Sequence, residues 1–241
     1  MEKLIIILEH VIDLLLVFVS VLFLCAGTYQ TVDGCLVYLH AESTSVMKKN
    51  GAQTETEPIR NVPGMTAWLT VDDTSIDEPV MQGADNTEYL KKDCYGKYSV
   101  SGSLFLDSRN SADYTDPYSV IYGHHMRGGA MFGNLSKFLD QDYLETHTSG
   151  TLAVGEMVYT LRIFATLDTD AQAMEVYAPQ ETDPTVTWDY VKSNAVCWND
   201  AVLKKTAAMP SRMIAFSTCG KEEQERTVVV GFLDVPESGT E

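Results

Sequence analysis

Cys219 closes an apolar run, IAFSTC, and is followed at once by Gly220 and the charged turn KEEQER. A thiol at the end of a strand, beside a polar loop, is within reach of solvent and of neighbouring charges. The thiolate that such charges favour is a nucleophile. The bland alternative is a buried thiol capping a core strand, so position alone does not decide. Two other features bear on it. In YGHHMRGGAMFG (122–133) an extended run delivers two adjacent histidines into a glycine-rich turn. Strand side chains alternate between faces, so only one of His124 and His125 can address a given thiol. Adjacent histidines also suggest a metal, but no partner accompanies them at ligand spacing and no metal is expected. Arg226 follows Cys219 by seven residues. A hairpin through KEEQE would return it beside the thiol, where a guanidinium lowers a thiol's pKa and donates to a developing oxyanion. A solvated arginine paired with Glu222, Glu223 or Glu225 fits its position equally well.

These residues need strands to position them. From Met65 onward short apolar runs alternate with turn residues: MTAWLTVDDTSIDEPVMQ, GSLFLDSRN, SVIYGHH, GTLAVGEMVYTLRIFATL, RMIAFSTC and TVVVGFLDV. Seven or eight short strands follow, mostly spaced too closely for crossover helices, which predicts an antiparallel barrel or sandwich. Two helical interruptions stand out. Residues 131–147 carry apolar spacing close to a helix, and in 185–207 Trp188, Val191, Ala195, Trp198 and Val202 fall three or four apart on one helical face. Those tryptophans read as core.

Residues 4–26 are mostly apolar and long enough to cross a bilayer, although Glu9, His10 and Asp13 interrupt their first half. MEK and LCAGTY give neither a basic n-region nor a clear cleavage site, which favours a retained single-pass anchor over a signal peptide. The division expected is an anchor or uncleaved signal at 1–26, a helical and linker region at 27–63 and a β domain at 64–241. The polar stretch NGAQTETEPIRN (50–61) is the connection. With the soluble bulk after the anchor, the predicted topology is N-in and C-out at the cell membrane. Seventeen Lys and Arg against 34 Asp and Glu give a net charge of −17 in 241 residues. Such a chain gains nothing from phosphate counterion release, so nucleic acid is not an expected partner. The five cysteines (Cys25, Cys35, Cys94, Cys197, Cys219) are odd in number, lack CxxC pairing and are too sparse for a disulfide scaffold. A domain outside the cell then keeps at least one thiol free.

The segments IYGHHMRGGAMFGNLSKF (121–138) and FSTC…R (216–226), with EPVMQGADNTEYL (78–90) and GSLFLDSRN (102–110), resemble the sortase family, its class B branch in particular. The resemblance covers roughly residues 60–235. It implies a mostly β fold: an eight-stranded β-barrel with N-terminal helices and a helix inserted between strands 6 and 7, where 185–207 falls. It also implies a cysteine transpeptidase without cofactor that acts on the sorting signal of secreted proteins. The acyl group passes to an amine of a cell-wall precursor or a pilin lysine. The family's pattern assigns Cys219 as nucleophile, His124 as acid and base, and Arg226 as oxyanion stabiliser, with His125 turned away. Ser217, Thr218, Asn86 and Leu90 correspond to substrate-binding positions. The chain departs from the family in one place: the threonine–leucine–any–threonine–cysteine signature reads Ala215-Phe216-Ser217-Thr218-Cys219, with its first threonine replaced and its leucine replaced conservatively. The same three residues acting with water would make a membrane-anchored endopeptidase, and a barrel without catalysis would be a surface or pilus-assembly protein.

Overall fold

The computed structural model describes residues 2–51, 62–126, 129–203, 209–219 and 225–234. The chain divides into two compact units, Met1–His40 and Ala41–Glu241. The first lies in one long helix, α1 (Glu2–Gly51). Within it Ile5–Tyr29 has a mean hydropathy of 2.5, and its described side chains are exposed. Twenty-five residues at about 1.5 Å each exceed the roughly 30 Å hydrocarbon thickness of a bilayer. The linker expected at 50–61 lies almost wholly outside the described residues.

The second unit is built on strands β1 (Met65–Val71), β2 (Asp77–Met81), β3 (Leu104–Leu106), β4 (Tyr118–Tyr122), β5 (Ser149–Val154), β6 (Met157–Asp170), β7 (Ala195–Trp198), β8 (Met213–Cys219) and β9 (Glu225–Asp234). Their order is β5-β1-β2-β3-β4-β8-β9-β6-β7, and β5 also pairs with β6. That last pairing closes eight strands into a barrel and leaves β7 as a ninth, laid along the far half of the long β6. Closure removes the unpaired edges that an open sheet would expose.

The central strands are buried on both faces, which explains their near-continuous apolar runs. Along β8, Ile214 and Phe216 belong to the barrel interior with Leu69, Leu104, Ile121, Ile163 and Val229. Met213 and Ala215 belong instead to an outer layer with Tyr118, Val120, Phe164, Val228 and Val230. Helices α3 (Met174–Tyr177) and α4 (Pro184–Asn194) cover that layer through Val176 and Val191. Each such aliphatic or aromatic side chain taken from water contributes about 1.5–3 kcal/mol. The insertion therefore makes the outer wall a second core.

Three local expectations are corrected. Two neighbouring pairs, β2–β3 and β4–β8, are parallel, because long connections give the chain room to cross over. The helix read at 131–147 is broken into a 3-10 turn (Leu135–Leu139) and α2 (Gln141–Thr146). Asp140 is extended there and its side chain accepts the Tyr143 amide, so it starts a new helix. The 185–207 helix stops at Asn194, β7 follows, and a four-residue helix, α5 (Asp200–Leu203), comes next; 204–208 lie outside the described residues. Trp188 on α4 and Trp198 on β7 nevertheless both pack on Phe164, with ring centroids 5.8 and 5.4 Å away.

Candidate active site

Three adjacent strands set the site. The parallel register of β4 on β8 pairs Tyr122 with Ser217. The Gly123 amide extends the ladder by donating to the Ser217 carbonyl at 3.1 Å. Two residues beyond that pair come His124, past the end of β4, and Cys219, the last residue of β8. On the other side of β8, the antiparallel register of β9 pairs Cys219 directly with Arg226. Neighbouring strands lie about 4.8 Å apart, so the order β4-β8-β9 puts His124, Cys219 and Arg226 in one row with the cysteine in the middle. Alternation puts Ser217 and Arg226 on the outer face: Ala215 precedes Ser217, and Val230 and Val228 lead back to Arg226. Residues 220–224 lie outside the described residues, as do 127–128 after the histidine pair.

A cleft of about 370 Å³ opens at this end of the barrel. Its lining includes Asn86, Leu90, His124, Ser217, Thr218 and Arg226, together with Arg109, Tyr122 and Tyr177. The His124 Nε2 lies 2.8 Å from the Leu90 carbonyl oxygen. A carbonyl can only accept, so Nε2 carries a proton and Nδ1 is the nitrogen left to take or give one. His125 is exposed, forming a bridge with Met131. The Arg226 guanidinium donates through Nη1 to the Glu225 carbonyl at 2.9 Å. Ser217 Oγ and Tyr177 Oη are 2.9 Å apart, and the Tyr177 ring stacks on Tyr122. Thr218 sits on the opposite, interior face of β8, buried, its hydroxyl without a partner among the described residues. Asn86 is held by Asp107, to which its amide donates at 2.9 Å.

Two other thiols of the β unit sit in settings unsuited to a nucleophile. Burial, then the nearby Asp93 charge, pushes the Cys94 thiol up to about 11. Burial also raises Cys197, whose Sγ donates to the Leu139 carbonyl at 3.2 Å. Sequence reasoning did not single out Tyr122, Tyr177, Asp107 or Arg109. The Asp-x-Arg spacing inside LDSRN was the available signal for the last two; nothing in DAQAMEVYAPQ marks Tyr177 as a cleft wall.

Comparisons with known proteins agree with this architecture. The Sortase domain family model matches residues 69–234. Sortase B of Listeria monocytogenes is 35% identical over 174 residues, covering 70% of this chain and 69% of that protein. Sortase B of Staphylococcus aureus is 28% identical over 174 residues, with 70% of each chain covered. Among solved structures, a Streptococcus pyogenes class B sortase involved in pilus biogenesis superposes with a TM-score of 0.63 at 33% identity, over 71% of this chain and 92% of that one. The strand order, the cleft at the end of β4 and β8, and these matches lead to one assignment: the chain belongs to the sortase family of cysteine transpeptidases.

Proposed function

We propose that the protein is anchored in the cell membrane by Ile5–Tyr29, with its barrel outside, and transfers sorted proteins onto an amine through a thioester at Cys219. The row of His124, Cys219 and Arg226 on adjacent strands carries this reading. The Cys219 thiolate attacks the backbone carbonyl at the cleavage point of the sorting signal. Unassisted, a thiol with a pKa near 8.5 is only a few per cent thiolate at pH 7, so cationic neighbours on either side raise the reactive fraction. Arg226 donates to the tetrahedral oxyanion. His124 protonates the leaving amine from Nδ1, Nε2 being engaged by Leu90. The thioester is then resolved when an incoming amine attacks and His124 takes its proton. Peptidoglycan precursor and pilin lysine are the two acceptors, the second favoured by the pilus role of the streptococcal relative.

Asn86, Leu90, Ser217 and Tyr177 form the walls along which the signal lies, and Thr218 supports the strand end from the interior face. The test is to incubate the full chain in detergent with quenched fluorescent leucine–proline and asparagine–proline pentapeptides, with and without triglycine or a lysine peptide. An amide-linked product that appears only with amine, and is absent in Cys219→Ala and His124→Ala, supports the proposal. Free acid formed at the same rate whether or not amine is present points to a hydrolase and overturns it.

A further inference from the structure

We infer that Asp107 and Arg109 form a clamp that holds both walls of the cleft in register with the row of reacting residues, and that peptide binding depends on it. The inference rests on the acyl-transfer reading of this cleft.

Asp107 follows β3 by one residue, is fully buried, and is tied to β4 by its amide, which donates to the Val120 carbonyl at 2.8 Å. Five hydrogen bonds converge on its carboxylate. Oδ1 accepts from the Arg109 amide at 3.0 Å and from Arg109 Nε at 2.9 Å. Oδ2 accepts from Arg109 Nη2, Tyr122 Oη and Asn86 Nδ2, each at 2.9 Å. Asn86 is locked from its other end, because its Oδ1 accepts the Ser108 amide at 2.7 Å. That fixes the wall leading into the 3-10 turn Glu88–Lys91, whose Leu90 carbonyl holds His124.

The opposite wall is held by the same guanidinium. Arg109 Nη2 donates to the Tyr177 carbonyl, and Nη1 reaches Glu181 Oε1 at 3.4 Å. Tyr177 is the side chain that meets Ser217 across the cleft. An ion pair with one buried partner adds little stability compared with apolar packing of the same volume, so stability alone does not account for this one. What it does supply is geometry. A planar guanidinium forked onto one carboxylate links three chain segments, those of Asn86, Asp107 and Tyr177, through a single group.

Asp107→Asn would leave a buried site half satisfied and risks unfolding, so the test uses Arg109→Gln and Arg109→Lys at the half-exposed end. The full chain in detergent is assayed with the quenched pentapeptide that the wild type cleaves fastest. We expect KM to rise about tenfold in both variants, the equivalent of the single charge-assisted bond that ties the guanidinium to the Tyr177 wall, with kcat within about threefold. Lysine does not rescue, because it keeps the charge and loses the fork. Alkylation of Cys219 by iodoacetamide, read by peptide mass, stays near wild type, since a small reagent needs no walls. Amide exchange over 174–178 speeds up.

A KM within about twofold of wild type in Arg109→Gln overturns the clamp. So does a parallel loss of kcat, alkylation rate and thermal stability, which would mark a merely structural residue. A Cys219→Ala control separates the two readings. Turnover surviving there overturns acyl transfer itself, whereas turnover lost there beside a wild-type KM in Arg109→Gln overturns the clamp alone.

Discussion

Gly123 stands between Tyr122 and His124, and adding a single methyl group there tests how the strand end is packed. An ideal Cβ would lie 2.4 Å from Leu104 Cδ2, 2.7 Å from Phe132 Cδ2 and 2.9 Å from Phe132 Cγ. Ordinary carbon contacts are about 3.5–4.0 Å, so roughly an ångström of room is missing. Neither neighbour can yield cheaply. Leu104 and Phe132 are both fully buried, and Phe132 packs edge-on against Phe216 with centroids 5.9 Å apart. Overpacking of this kind costs about 1–3 kcal/mol. For a domain of this size each kcal/mol lowers Tm by about 2–4 °C, so Gly123→Ala should melt roughly 2–12 °C lower. The damage should reach the chemistry too, because the Phe132 amide donates to the His124 carbonyl at 3.1 Å. Pushing Phe132 outward moves His124, and a misplacement near 1 Å can cost about 100-fold in rate. Thermal unfolding by circular dichroism and single-turnover peptide cleavage on the same preparation give both numbers. A variant with wild-type Tm and wild-type turnover would show that the space between β3, β4 and the histidine turn is not filled as described, and the reasoning would fail.

Three further perturbations follow from the packing. Tyr118 Oη is buried with no hydrogen-bond partner among the described residues, whereas Tyr114 Oη lies 3.1 Å from Thr66 Oγ1. Tyr118→Phe should therefore leave the urea midpoint unchanged or raise it, while Tyr114→Phe loses about 1 kcal/mol; the opposite order would contradict the assignment. Asp140→Ala removes the cap of α2 and should cost about 0.5–2 kcal/mol, recovered by Asp140→Asn, as chemical denaturation would read. Burial alone would raise the Asp107 pKa, but the hydrogen bonds from Arg109, Tyr122 and Asn86 outweigh it and hold the carboxyl below the usual range. The folded state then binds fewer protons than the unfolded one. The stabilisation from this group is complete above the ordinary carboxylate pKa of about 3.9 and is lost as pH falls through the lower folded value. Urea midpoints measured on the acid side should fall less steeply in Arg109→Gln, which removes the largest cause of the lowering, than in wild type, and equal slopes would refute the shift.

Part of this candidate site is legible in the sequence itself. Cys219, His124 and Arg226 sit at strand ends beside turn residues, so their types and order survive as a linear pattern. What linear order does not carry is that β4 and β8 are parallel neighbours, although 90 residues lie between Tyr122 and Met213. The spacing of Trp188, Val191, Ala195, Trp198 and Val202 pointed correctly to the outer core and wrongly to one helix. Trp188 and Trp198 lie 6.0 Å apart by folding back on one another, which helical periodicity imitates. The break at Asp140 was legible in principle, since an aspartate three residues before a helical amide is a capping signal. Asp107 and Arg109 escaped notice because their role lies in segments far away in sequence, Asn86 on one side and Tyr177 on the other.

The central claim is that Cys219, flanked by His124 and Arg226, carries the acyl group. Intact-mass spectrometry of the full chain mixed with a cleavable sorting peptide, without amine, reads it directly. The account predicts a covalent adduct with the mass of the N-terminal peptide fragment, mapped to Cys219. The adduct should be absent in Cys219→Ala and discharged into an amide product when triglycine or a lysine peptide is added. Cleavage that proceeds with no adduct on Cys219, and continues in Cys219→Ala, would contradict it.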